Sequence, residues 1–332
     1  MIYRFKRRVM EAAIFAVLSV MTTPAFSQSA ETLPNGPITL VVPFAAGGAT
    51  DVVSRLIVQK LGEKISRTIV VENLGGGGGA IGAAKVARAA ADGHTLLMGT
   101  IATHVINPLT TPKIAYDPQR DFTPVSLIVT VPNVLLVNSK VKAKNVKELL
   151  ALLKEHSGKL SYGSSGMGTP PHLSGELLKS LANVNMTHVP YKGGGPAMTD
   201  LIAGHIPILF DVLSGAASHI RAGSVRALAV TTRERVASFP GLPTMAESGV
   251  PDYDTWTWNA IFGPANMPRP VVEKLSNALQ AVVKDPQVQA RLQEISATPI
   301  GSTPEALAQL VEQETKKWRP IINSIQSFKK TD

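Results

Sequence analysis

The 332-residue chain is 44% apolar and 17% charged, a globular composition that excludes a disordered protein. Its length exceeds one comfortable hydrophobic core, so two domains are expected. The formal charge of +9 is scattered along a chain with only 5% aromatic residues, which argues against nucleic acid as a partner, and zero cysteines exclude disulfides and thiolate chemistry.

The chain opens MIYRFKRRVMEAAIFAVLSVMTTPAFSQSA. Arg4, Lys6, Arg7 and Arg8 precede an apolar run from Ala12 to Val20 and small residues around Ala25 and Ser27. This is the pattern of an export signal spanning residues 1–27. The run is too short to cross a bilayer, and no later segment reaches the ~20 apolar residues that a spanning helix requires. An exported, soluble protein is expected, and with it a periplasmic location.

From residue 37 onward apolar runs alternate with helical patterns, the signature of a mostly parallel sheet with helices on both faces, in the α/β class. Strands are expected at residues 38–44, 68–72 and 95–99, with helices at 50–65 and 80–90 between them. The long apolar segment 124–138 is interrupted by Pro132, which suits a strand leaving one domain for the next. The rhythm then restarts, with helices at 146–156, 169–182, 197–203 and 216–222 and strands at 160–164, 186–191, 206–210 and 227–230. A looser Pro- and Gly-rich stretch, residues 239–270, carries the chain back to the first domain. There helices at 271–284 and 304–318 close the fold. Domain 1 is thus residues 35–133 with 256–332, and domain 2 is residues 134–255.

Three Gly-rich corners join strands to helices. In PFAAGGATD, Gly47 and Gly48 make the turn, Thr50 is a fair N-cap and Asp51 falls in the first helical turn. A helix start offers unpaired N–H groups and about half a positive charge, so this corner is an anion site in prospect or an ordinary βα turn. YGSSGMGTPPH repeats the construction with Gly166, Gly168 and the N-cap pair Thr169-Pro170. Two such corners facing across a cleft would clamp a small anion. Ser164 and Ser165 suit turn hydrogen bonding, and His172 is either a satisfied helix-start histidine or a ligand contact. In VPYKGGGPAMTD, Lys192 is either an anion partner or a solvated lysine. Asp211 ends a strand, where α/β ligands bind, and either reads a hydroxyl or ammonium group or ties down backbone.

The run VVENLGGGGGAIGAAK formally contains G-x-G-x-x-G in Gly77, Gly79 and Gly82. A dinucleotide site needs an acid at the end of the following strand, yet Asp92 precedes that strand, so the run reads as a βα corner and no cofactor is expected. No nucleophile elbow, phosphate loop or zinc-binding helix motif occurs, and the seven histidines show no paired spacing. Neither catalytic nor metal-ligating residues are assigned.

PITLVVPFAAGGATDVVSRL, the pentaglycine segment, YGSSGMGTPPHLSGELL, HVPYKGGGPAMTDLIAGHIPILFD and RALAVTTRERVASFPGLPTMAESGVPDY together resemble the substrate-binding proteins of tripartite tricarboxylate transporters, the Bug-type receptors. The resemblance spans residues 37–322. It implies a type II periplasmic binding protein, two α/β domains around a ligand cleft with two hinge crossings near residues 130–136 and 252–262. It further implies a small carboxylate held by backbone N–H groups and ordered waters at the glycine corners. On this chain that points to Phe44, Gly47, Gly48, Thr50 and Asp51, with Ser164, Gly166, Gly168 and Thr169 opposite; His172, at the same helix start, is a further candidate ligand contact by its position. Thr100, Thr103, His104 and Asp211 lie at further strand ends near the cleft. The implied partners are the permease subunits of such a transporter, or a membrane sensor, with the receptor a monomer. Ala45-Ala46 where the family often has prolines, and Leu74 in place of a commonly basic residue, bear on the ligand more than on the fold. A rival expectation is a secreted hydrolase using Ser164 or Ser165 with His172.

Overall fold

One strand, Phe122–Asn138 (β4), organises the molecule. In the computed structural model, which describes Leu33 and residues 35–324, β4 is 17 residues long. From Phe122 to Pro132 it pairs antiparallel with Trp256–Pro264 (β9); from Asn133 to Asn138 it pairs with Ile208–Val212 (β7) and Val225–Val230 (β8). Pro132, which has no N–H for a ladder, marks the change of partner. The expected export signal lies outside the described residues.

On one side of β9 lie Thr95–Thr100 (β3), Ile38–Val42 (β1) and Ile69–Asn73 (β2); on the other side of β7 lie Ser161–Ser164 (β5) and Thr187–Pro190 (β6). The pairs β1–β2, β1–β3, β5–β6 and β5–β7 are parallel. A two-residue strand, Thr298–Pro299 (β10), edges β4 near Thr130.

Each half of this sheet is covered on both faces, so its inner strands are buried on both faces while the edge strands β2 and β6 stay partly exposed. In the first half, Ile38, Leu40 and Val42 of β1 pack with Val53, Ile57 and Leu61 of helix Ala49–Ile65 (α1). Leu275 and Leu279 of Arg269–Val283 and Leu292 of Pro286–Glu294 complete that layer. Val41, one residue out of phase, joins Leu97, Trp258 and Phe262 beneath helix Ala80–Ala87 (α2) and the C-terminal helix Pro304–Ser324, which contributes Leu307 and Trp318. In the second half, Leu135 and Val137 face helices Val146–Glu155 and Pro170–Ala182. These are α4 and α5, a short helix Asn107–Thr110 (α3) having intervened. Val134 and Leu136 face Gly194–Ala203 (α6) and Leu213–Arg221 (α7).

Two expectations fail here. The stretch assigned as loose connection contains β9, nine residues at the centre of the sheet, hidden in sequence among prolines and glycines. The helix expected to continue from α2 to residue 90 stops at Ala87.

Where β4 changes partner, buried side chains tie the crossings together. Thr231 Oγ1 donates to the Asn133 and Thr255 carbonyls at 3.1 and 2.6 Å, and Thr255 Oγ1 lies 2.6 Å from Ser174 Oγ. Asn133 Nδ2 reaches Ser174 Oγ at 3.3 Å and Thr255 Oγ1 at 3.4 Å. Thr255→Val keeps the shape but strands these partners. We expect a loss of about 1–3 kcal/mol with unchanged slope in urea unfolding, and recovery in Thr255→Ser.

Candidate functional site

Four helices begin at one small cavity of about 30 Å³. Gly48, Ala49 and Thr50 come from the start of α1, Thr169, Pro170 and Pro171 from α5, Gly194 from α6, and Asp211 and Val212 from the entry to α7. Phe44, Thr100, Ser165 and Thr257 complete the lining. Each helix start carries roughly half a positive charge, so the cavity favours an anion. The four starts are unequal. Pro170 and Pro171 open α5 and have no N–H, so that corner presents apolar rings where the sequence reading expected donors, and the second half supplies its donors from α6 and α7 instead. Backbone donors must come from α1, α6 and α7.

Of the sequence-derived candidates, Phe44, Gly48, Thr50, Thr100, Thr169 and Asp211 line the cavity. The others stand behind it. Asp51 accepts from Gly47 N–H at 2.9 Å, Arg55 Nε at 3.0 Å and Asn73 Nδ2 at 3.0 Å, while the same Asn73 amide donates to the Phe44 carbonyl at 3.1 Å. Burial works to raise the Asp51 pKa, but the hydrogen bonds from Arg55, Gly47 and Asn73 outweigh it and hold the carboxyl below its usual range. Asp51 is therefore a brace for the corner. Thr50 is not the N-cap expected: Gly48 occupies that position, and the Thr50 hydroxyl receives Asn259 Nδ2 at 3.3 Å. Thr169 holds the cap position of α5, but its hydroxyl donates to the Gly166 carbonyl at 2.7 Å and caps nothing.

Thr103 and His104 sit in a π-helical turn, Ala102–Ile106, after β3. Thr103 Oγ1 donates to the Thr100 carbonyl and accepts the Thr100 N–H; His104 stacks on Phe262 with ring centroids 3.7 Å apart, and burial drives its pKa down to about 3. Both shape Thr100 without reaching the cavity.

The Ser–His172 pairing expected of a hydrolase is not formed. Ser164 Oγ is buried, 2.7 Å from His188 Nε2, and accepts the Gly166 N–H; His172 Nδ1 accepts the Gly168 N–H at 3.1 Å while its ring stacks on His188. No histidine lines the cavity among the described residues. Nor do those residues contain a group of three His, Asp or Glu fit to hold a metal ion.

The pentaglycine run has a different use. Gly77–Gly79 form a 3₁₀ turn with positive φ throughout, and Gly78, at φ 62°, abuts the Met167 carbonyl with no room for a Cβ. Asn107 Nδ2 donates to the Gly78 carbonyl at 2.9 Å. Close by, the Ala45 N–H donates to the Lys192 carbonyl at 3.0 Å, and a Cβ on Gly75 would stand 2.6 Å from that same oxygen. A Cβ on Gly195 would stand 2.5 Å from the Ala46 carbonyl. Backbone thus meets backbone along the rim between the halves. Lys192 contributes its carbonyl to this rim while its residue stays exposed. Sequence reasoning missed Ala49, Ser165, Pro170, Pro171, Gly194, Val212 and Thr257 as lining residues; the GGGP run and the Thr-Pro-Pro step were the available signals.

Asp211 is 2% exposed, and burial pushes its pKa up to about 7 against the opposing hydrogen bond from the Val212 N–H. Folded protein then holds this proton more tightly than unfolded chain, whose value is 3.8. The resulting stability is full below about pH 4 and lost as pH rises through about 7. Asp211→Asn removes the penalty of an ionised buried group. We expect it to stabilise the protein at pH 8 by up to about 4 kcal/mol, with the gain vanishing near pH 4, as read by thermal unfolding across pH.

Comparison with known proteins bears directly on this geometry. The profile of the tripartite tricarboxylate transporter family receptor matches residues 53–327. The chain is similar to Rpa4515 of R. palustris with adipate, at 38% identity and a TM-score of 0.85 over 87% of this chain and 97% of that one. It is also similar to MatC of Rhodopseudomonas palustris with bound malate, at 36% identity and a TM-score of 0.83 over 87% and 99%. Protein BugT of Bordetella pertussis is 32% identical over 311 residues, 93% of this chain and 95% of that protein.

Proposed function

Since the chain belongs to the tripartite tricarboxylate transporter family of Bug-type receptors, we propose that it is a periplasmic solute receptor that captures a small organic carboxylate and hands it to membrane permease subunits. It works as a monomer exported by its N-terminal signal, and it performs no chemical step on its ligand. No helix among the described residues is long and apolar enough to cross a membrane. The observation that carries the reading is the convergence of four helix starts on one buried cavity, with the adipate and malate complexes of the two relatives in support.

The ligand is held chiefly by backbone N–H groups at the starts of α1, α6 and α7, with the hydroxyls of Thr50, Thr100, Ser165, Thr169 and Thr257 beside them. A cavity of about 30 Å³ has room for roughly one or two waters. Residues 35–133 with 256–332 and residues 134–255 therefore part to admit a carboxylate and close over it, bending at Pro132–Asn133 and at Thr255–Trp256. Ligand touching both halves favours the closed population in proportion to its differential affinity.

Titration calorimetry with mono-, di- and tricarboxylates tests the capture, and proton NMR of the recovered ligand tests for chemistry. We expect saturable binding of at least one carboxylate, returned unchanged; turnover abolished by Ser165→Ala would overturn the reading. Gly195→Ala tests the closure. Its added methyl meets only the Ala46–Gly48 backbone across the rim, so we expect a native circular dichroism spectrum, affinity reduced ~10-fold or more, and a larger radius of gyration with saturating ligand than wild type shows.

A further inference from the structure

Asp211 is the penultimate residue of β7 with its carboxyl on the cavity wall, and a Cβ on Gly194 at the start of α6 would stand 2.6 Å from its Oδ1. The other polar lining side chains, from Thr50, Thr100, Ser165, Thr169 and Thr257, are neutral hydroxyls, so among the described residues no cation shares the cavity. Thr100 Oγ1 is itself buried, 3% exposed for the residue, and has no hydrogen-bond partner. Charged and titratable groups on the surrounding elements are engaged elsewhere. Asp51 pairs with Arg55 on α1; His172 holds Gly168 and Glu176 holds Tyr162 and Lys179 on α5; Asp200 of α6 meets Tyr191 and His205. His219 and Arg221 occupy the last turn of α7, far from its start; His104 lies behind Thr103; β4 and β5 present only neutral polar groups.

Resting on the carboxylate reading above, we propose that Asp211 determines specificity as a hydrogen-bond donor: capture takes one proton from solvent onto its carboxyl, which donates that proton's hydrogen bond to a carboxylate oxygen of the ligand. The balance is one ionised Asp211, one ligand carboxylate and one proton entering, and one carboxyl–carboxylate pair formed. Two ionised carboxylates cannot share a closed, cation-free cavity cheaply, and protonating the aspartate is the least costly relief. Burial alone already lifts Asp211 to about 7, so an arriving anion meets a group poised to take the proton near neutral pH. The class of ligand follows. A carboxylate oxygen suits this position at neutral and mildly acid pH, whereas an ammonium group there would require Asp211 ionised and would bind better as pH rises.

The test is calorimetry of the wild-type protein with adipate and with malate at pH 6 and pH 8, in buffers of different ionisation enthalpy. We expect affinity for the bound acid to fall about 10-fold from pH 6 to pH 8, with close to one proton taken up per ligand at pH 8. Asp211→Asn keeps a donor without a titrating proton, so it should bind with little pH dependence and no uptake. If that variant does not fold, proton uptake by wild type decides alone. Affinity in wild type that is flat or rising with pH, or binding without proton uptake at pH 8, overturns the proposal while leaving carboxylate capture standing. Absence of heat with every carboxylate at both pH values overturns the carboxylate reading and this proposal with it.

Discussion

The hydrogen bond from the Ala45 N–H to the Lys192 carbonyl, 3.0 Å across the rim, sets the terms for the rest of the site. It joins the corner before α1 to the corner before α6, and it forms only if nothing bulkier than backbone stands between them. Gly193 and Gly195 flank one side, Gly48 the other, and the pentaglycine turn closes the neighbouring stretch against Met167. A side chain at any of these close contacts would hold the helix starts apart. Their N–H groups would then point at water, where donors to a bound anion are worth far less than in a cavity that excludes solvent.

Asp211 apart, the cavity is lined by uncharged groups. Helix starts supply positive potential from fixed dipoles, and hydroxyls supply adaptable partners. Against that background two aspartates of the same chain behave oppositely. Asp51 collects the Gly47 N–H, Asn73 and Arg55, and stays ionised as the brace of its corner. Asp211 has the Val212 N–H against burial and is lifted toward neutral pH. Partner count separates the two: burial raises both pKa values, and only Asp51 has the donors to outweigh it.

The histidines show how a catalytic reading dissolves once geometry is known. Ser164 does lie within hydrogen-bond distance of an imidazole, but the imidazole is His188, and the pair is turned into the protein beneath Gly166. His172 and His188 stack, both held at low pKa by burial, and the first accepts the amide of Gly168. Their work is to hold the corner that places Thr169, Pro170 and Pro171 at the cavity wall.

Much of this was legible in the chain itself. Alternating apolar runs and helical stripes specify an α/β sheet covered on both faces, because burial on two sides leaves strands few polar positions, as in β1 and β4. Glycine corners at strand ends mark where helix starts gather, which brought out Gly48, Thr50 and Thr169; Asp211 stood out at a strand end, and Phe44 and Thr100 came with the family resemblance. Composition alone removed nucleic acid, disulfides and disorder from consideration. Sequence did not reveal that β9 threads the centre of the sheet, since Pro- and Gly-rich flanks imitate a linker and only pairing with β3 and β4 makes WTWNAIFGP a strand. Nor did it separate Asp51 from Asp211, or cavity-lining Ser165 from buried Ser164. Those distinctions depend on which donors arrive from elements 20 to 30 residues away, such as Asn73 and His188, or more than 200 away, such as Asn259. Local pattern determines which elements form and where they end; desolvation and long-range partners, which exist only after packing, decide what each polar side chain does.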